Sequence, residues 1–200
     1  MIILGVDPGT RTTGYGVVAR SGGGAVSLLE CGVIRTDAEL PLEKRLRDIY
    51  EGITDVITRN RVTTMAVEGI FYAKNVRTTV ILGHARGVIL LAGTLKGLEI
   101  AEYSPAEIKN AVVGTGRASK EQVQFMMQKL LRLKSPPKPA DAADGVAVAL
   151  CHSNAFTLAG IAPAMRYSNA DLLEKARQFA ARQGSVPAND QYSPMISSRS

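Results

Sequence analysis

Four acidic residues sit where solvated surface charge is a poor explanation. Asp7 closes an apolar run, Ile2-Ile-Leu-Gly-Val6, directly before the turn pair Pro8-Gly9. An apolar run ended by a turn reads as a buried strand, and an ionised carboxylate buried there without a partner costs several kcal/mol, about enough to neutralise it instead. Taken alone, Asp7 could equally cap the turn. Glu68 occupies a matching place near the end of a second apolar stretch, Thr63-Thr-Met-Ala-Val-Glu-Gly-Ile70. Asp141 and Asp144 are three apart at the start of Ala140-Asp-Ala-Ala-Asp-Gly-Val-Ala-Val-Ala-Leu150. They therefore share a face one turn long at a helix N-terminus, where the dipole favours negative charge. Capping accounts for one of them and poorly for two. If the four converge, their charge is that of two divalent cations, and hard oxygen donors without His or Cys select Mg²⁺ or Mn²⁺ over zinc. Paired ions of that kind support in-line attack on a phosphodiester.

The elements between the acids must bring them together. Residues 2–7, Gly14–Arg20 and Val26–Arg35 read as three successive strands, the last two joined by the Ser21-Gly-Gly-Gly24 loop, which implies an antiparallel meander. From Leu42 to Asn60 the period changes. Leu42, Leu46, Ile49, Tyr50, Ile53, Val56 and Ile57 fall on one helical face, and Glu43, Lys44, Arg47, Asp48, Glu51 and Asp55 on the other. A helix interposed between the meander and Thr63–Ile70 makes that strand parallel to the first, with a right-handed crossover. Asp7 and Glu68 would then share the carboxyl edge, where open α/β sheets bind ligands.

Thr78–Lys96 reads as an apolar helix, with Gly83, Gly87 and Gly93 permitting close packing and His84 taken into that packing. Glu99–Tyr103 is a fifth strand. Ser104-Pro-Ala-Glu107 and Ser119-Lys-Glu-Gln122 are capping boxes that open two helices, the first with Pro at its first position. Val123, Met126, Met127, Leu130 and Leu131 form a core stripe on the second of these. The prolines of 134–139 make a stiff connector to the helix of Asp141 and Asp144, whose Ala, Gly and Val mark it as closely packed on the sheet. The expected fold class is α/β, a five-stranded mixed sheet flanked by helices. Residues 1–160 form the expected domain, and 161–200 an extension with a short helix near 171–182 and a flexible tail rich in Ser, Pro, Asn and Gln.

The 200 residues carry 24 Lys and Arg against 18 Asp and Glu, a net charge of +6. Setting four acids aside in one site leaves the remaining surface more basic still, which favours a polyanionic partner. Cys31 and Cys151 are too few and too far apart for a disulfide framework or a zinc site. Asp7 interrupts the N-terminal apolar run too early for a secretion signal, and His84 and Arg86 break the Val80–Leu95 run before a membrane-spanning length. A cytoplasmic location is expected.

Five ordered segments together resemble the RuvC family of bacterial Holliday-junction resolvases. They are Gly5-Val-Asp-Pro-Gly-Thr-Arg-Thr-Thr-Gly-Tyr-Gly16, Glu68-Gly-Ile-Phe-Tyr-Ala-Lys-Asn75, Leu82-Gly-His-Ala-Arg-Gly87, Val112-Val-Gly-Thr-Gly116 and Ala140-Asp-Ala-Ala-Asp144. The resemblance implies an RNase H-like fold and a homodimer. It also implies a crossover junction endodeoxyribonuclease that makes paired symmetric Mg²⁺-dependent nicks in four-way junction DNA during recombination and repair, leaving 5′-phosphate ends. The family's acidic tetrad falls on Asp7, Glu68, Asp141 and Asp144, with two Mg²⁺ per site and Mn²⁺ able to substitute; where some members have His, this chain has Asp141. Lys109 and Lys120, by spacing alone solvated helix lysines, match basic residues that hold phosphate beside the cleaved strand. Phe71 matches an aromatic that stacks on opened bases, with Tyr72 beside it. Lys74, Asn75, Arg77, Thr78, Arg86 and Arg117 fall in or near segments expected to face DNA. The resemblance also implies work with a branch-migration complex, RuvA and RuvB. His152 has no role in this reading.

Three other readings share part of the pattern. Gly5–Thr10 also resembles the first phosphate loop of actin-like ATPases and sugar kinases, but the second such turn, adenosine loop and duplicated domain are missing from the 200 residues. A non-cleaving binder of branched nucleic acid would be marked by loss of one or more acids, and all four are present. Another RNase H-like nuclease, such as one for RNA–DNA hybrids, would keep the fold and change the substrate.

Overall fold

The computed structural model describes residues 1–69 and 76–158. β1 (Ile2–Asp7), β2 (Thr12–Arg20) and β3 (Val26–Arg35) form the expected antiparallel meander. The hairpin loop closes by Gly24 N–H to the Ser21 carbonyl, with Gly24 at φ +83, a left-handed position suited to glycine. α1 (Leu42–Asn60) crosses to β4 (Thr64–Glu68), which runs parallel to β1. α2 (Val76–Leu95) then leads to β5 (Glu99–Tyr103), parallel to β4, and the sheet order is β3-β2-β1-β4-β5.

Strand alternation sends the two faces of the sheet into two cores. Leu4, Val6, Val17, Met65 and Val67 pack against Ile49, Ile53 and Val56 of α1 and Ala85, Ile89 and Ala92 of α2. Ile3, Val18 and Ala66 face the other way, towards α3 (Pro105–Val113), α4 (Lys120–Leu130) and α5 (Ala140–Leu158). Both capping boxes form: Ser104 and Glu107, and Ser119 and Gln122, exchange side-chain and backbone hydrogen bonds across the first turns of α3 and α4. α5 is buried on nearly every side from Ala142 to Ser153, as a helix apolar all round must be. It lies on bare backbone. A Cβ on Gly16 would stand 2.5 Å from Val146 Cα, and one on Gly145 2.5 Å from Tyr15 Cα.

α2 departs from the sequence reading in three respects. By length and composition it is apolar enough to cross a membrane, because His84 and the charge of Arg86, which is paired with Glu102 of β5, interrupt the run too little to lower its mean hydropathy. His84 is exposed rather than packed. Among the described residues, of its three glycines only Gly93 serves packing, lying under Met65 and Ile100, whereas nothing stands within 4 Å of a Cβ on Gly83 or Gly87.

Candidate metal centre and nucleic-acid edge

Asp7 shares its face of the sheet with Ile3 and Gly5, and Glu68 shares the same face with Ala66. The parallel register sets Gly5 beside Ala66 and Val6 beside Val67, so the two acids end neighbouring strands on the side covered by α5. Gly14, the register partner of Asp7 on β2, lies under the first turn of α5: a Cβ there would meet the Asp141 carbonyl oxygen. That contact seats Asp141, and one turn on Asp144, over the end of β1. Carboxylate oxygens of Asp7, Asp141 and Asp144 all come within 4.8 Å of one another. Glu68 stands at the margin of this trio and within its field.

The electrostatics record the crowding. Asp7 is pushed up to about 6, by burial first and then by the charges of Asp144 and Asp141. Glu68 is pushed up to about 7, again by burial first and then by Asp7 and Asp144, with Lys109 and Lys120 opposing. Lys120, the first residue of α4, donates from Nζ to Asp144 Oδ2 at 2.8 Å, and that bond raises its own pKa. A cation thus already leans on the cluster, but one ammonium does not balance four carboxylates. Hard oxygen donors, mutual repulsion and partial burial together fit a divalent cation held by Asp7, Asp141 and Asp144 with Glu68 beside them.

Other residues singled out in the sequence fall differently. Lys109, on α3, acts on Glu68 through its charge. Arg117 is exposed in the turn between α3 and α4, and Arg77 and Thr78 are exposed in the first turn of α2. Arg86 is turned inward on the ion pair with Glu102, so its charge is neutralised within the chain. Phe71, Tyr72, Lys74 and Asn75, like the helix and tail expected beyond 160, lie outside the described residues.

One contributor escaped the sequence reading. His152 is buried, with Nδ1 2.8 Å from the Tyr103 hydroxyl and Nε2 3.0 Å from Thr64 Oγ1. Thr64 Oγ1 also donates to the Glu99 carbonyl, so it accepts from Nε2–H, and Nδ1 accepts from Tyr103 O–H. Burial pushes the imidazole down to about 4, which keeps it neutral for this arrangement. The bridge ties α5 to β4 and to β5, whose Tyr103 is the register partner of Glu68. The signal was its spacing: 152 lies eight residues, close to two turns, beyond Asp144 on the same helix.

The family model for crossover junction endodeoxyribonuclease RuvC matches residues 3–152. The chain is 52% identical over 155 residues to crossover junction endodeoxyribonuclease RuvC of Moorella thermoacetica, covering 77% of this chain and 92% of that protein. It is 48% identical over 153 residues to the RuvC of Desulforamulus reducens, covering 76% and 93%. Among solved structures, T. thermophilus RuvC in complex with Holliday junction substrate superposes with a TM-score of 0.76 at 33% identity, covering 82% of this chain and 99% of that one. A model match across three quarters of the sequence, on the same strands and helices that assemble the acidic cluster, means that this chain belongs to the RuvC family of crossover junction endodeoxyribonucleases.

Proposed function

We propose that the chain resolves Holliday junctions by hydrolysing one phosphodiester in each of two symmetric strands, in DNA recombination and repair. The observation that carries this reading is the acidic cluster: Asp7, Asp141 and Asp144 within 4.8 Å of one another, Glu68 on the adjoining strand and Lys120 against Asp144. Asp7, Asp141 and Asp144, with Glu68, would hold divalent cations, two Mg²⁺ per site, with Mn²⁺ a substitute. Such ions supply activation of water and stabilisation of the departing 3′ oxygen, which leaves a 5′ phosphate. Lys120 and Lys109 hold the non-bridging oxygens of the scissile phosphate and offset charge as it grows there. Phe71 stacks on bases opened at the crossover, a role carried by its motif alone, and Tyr72, Lys74, Asn75, Arg77, Thr78 and Arg117 contact the neighbouring backbone.

Two symmetric cuts need two sites related by a two-fold axis, and the homodimer supplies them. The outward face of α2 supports this part of the reading. Val80, Leu91 and Leu95 are exposed there, and Gly83 and Gly87 lie between them with open space above among the described residues, a surface that a second α2 could approach closely. Cooperation with RuvA and RuvB in the cytoplasm completes the proposal.

The test is cleavage of a mobile four-way junction beside linear duplex and an RNA–DNA hybrid, each with Mg²⁺, Mn²⁺ or EDTA. Paired nicks in the junction alone, lost in EDTA, are expected. Junction binding without nicks under either metal would return the chain to a binding protein, and cutting of the hybrid would change the substrate while leaving the fold.

A further inference from the structure

Two arginines flank the acidic site on the side away from Lys109, and the mechanism above uses neither. Arg11 lies in the turn between β1 and β2, and Arg35 is the last residue of β3; both are exposed. Among the described residues no hydrogen bond, ion pair or ring contact engages either guanidinium, whereas Arg45, Arg59 and Arg86 all have acceptors. The backbone that carries them is held firmly. Thr36 N–H donates to the Arg11 carbonyl at 3.1 Å, Thr36 Oγ1 donates to the Thr10 carbonyl at 2.5 Å, and Arg45 donates to both Thr10 O and Thr36 Oγ1.

Register places Arg35 relative to the acids. Asp7 pairs with Gly14, Gly14 with Val33, and Thr12 with Arg35. Side chains of paired residues share a face, so Arg35 stands on the α5 face with Asp7, two strands across and two residues further out. At about 3.4 Å per residue and 4.8 Å per strand, that is roughly 12 Å between backbones, a gap that an extended arginine shortens by half. Lys109 bears on Glu68 at the β4 side and Lys120 on Asp144, whereas Arg35 stands on the β3 side of the same face and Arg11, the ladder neighbour of Thr36, stands at the same end of β2 towards the α1 face. A polyanionic strand laid across the carboxyl edge would meet cations before and after the scissile phosphate.

We propose that Arg11 and Arg35 form a backbone clamp for the strand being cut, gripping phosphates on the β3 side of the scissile one. The inference rests on the junction-cleaving reading and adds to it a second basic flank and the direction in which the strand runs over the sheet. Phosphate contacts fix register without reading sequence, so the clamp positions the cut and leaves base preference untouched.

Each phosphate contact contributes about 0.9 to the slope of log affinity against log salt on duplex DNA. Binding of a labelled four-way junction, followed by anisotropy in EDTA from 50 to 200 mM salt, therefore reads the clamp directly. R11Q/R35Q should lose about twelvefold less affinity over that range than the parent for each site engaged, and either single variant about 3.5-fold less. R11K/R35K should follow the parent. K96Q, at the opposite edge of the sheet beyond α2, controls for bulk charge. Ethylation interference should show one or two phosphates beside the cut that matter to the parent and not to R11Q/R35Q. A parental slope in R11Q/R35Q would overturn the clamp, as would an equal change in K96Q, and junction cleavage by the parent would then still stand. A parent that neither binds nor cuts junctions would remove the functional reading and the clamp with it.

Discussion

Asp7 and Glu68 hold their protons to higher pH than ordinary carboxylates, with values raised to about 6 and about 7. The unfolded chain releases these protons first, near pH 4, so over the interval from about 4 to 7 the folded state binds more protons and stability falls as pH rises. His152, depressed to about 4, acts in the opposite sense between 4 and its ordinary value, which masks the acids in a simple pH titration of the parent. A substitution separates them. In EDTA, Asp7→Asn should stabilise the protein at pH 8 by about 1–2 kcal/mol and have little effect at pH 4, where Asp7 is already protonated in the fold. Thermal scans at the two pH values check this, and equal melting temperatures at pH 8 would show that the chain's own cations already neutralise the site. Added Mg²⁺ should reverse the ranking, because a cation bound only by the folded parent stabilises it by mass action. The same variant should lose junction cleavage by at least about 10³-fold while holding the junction within a few-fold of the parent. Full activity would sink the metal-site model.

At the level of elements, the site depends on α5 lying directly on the sheet, and the glycines beneath it set that distance. Gly16→Ala puts a Cβ 2.5 Å from Val146 Cα and 2.6 Å from its nitrogen. Those are backbone atoms, so α5 must rise, and Asp141 and Asp144 rise with it. Urea denaturation should show a loss of about 3 kcal/mol or more, and calorimetric titration with Mn²⁺ a weaker site; a cost under about 0.5 kcal/mol would mean that α5 has room to spare. The sequence carried most of these elements because each rests on local rules. Short apolar runs, each with one acid near its end, marked β1 and β4, the 3.6-residue period of Leu42–Ile57 marked α1, and two capping boxes marked the starts of α3 and α4. The pairing of Asp7 with Glu68 followed from the parallel crossover, and the closeness of α5 from its small residues. What a single chain does not encode locally is the partner of a side chain distant in sequence. Arg86 met Glu102 sixteen residues on, His152 met Thr64 and Tyr103 across two strands, and Arg35 came onto the same face as Asp7 only through the register of three strands.

Among the described residues α2 is covered on one side. Its inner side, Ala85, Ile89, Ala92 and Gly93, is buried, while Val80 is 53% exposed, Leu91 51% and Leu95 64%. These residues recur at three- and four-residue steps with Gly83 and Gly87 among them, so they form one stripe rather than scattered exposures. A glycine pair four apart lets a facing backbone come near, and a two-fold axis through the stripe would place two acidic clusters in one particle. Leu91→Asp tests this without burying the new charge in the monomer. Sedimentation should show a monomer that melts within a few degrees of the parent once dimer dissociation is allowed for. Its products should change in kind as well as in amount. On a supercoiled plasmid that extrudes a cruciform, paired cuts by the parent open the circle to a linear form, whereas a lone site nicks one strand and leaves a relaxed circle from which the junction has been reabsorbed. Relaxed circles from Leu91→Asp, with linear product restored at high protein concentration, would place the pairing on α2. Linear product at the parent's yield from a protein that still sediments as a dimer would move the two-fold axis to another face.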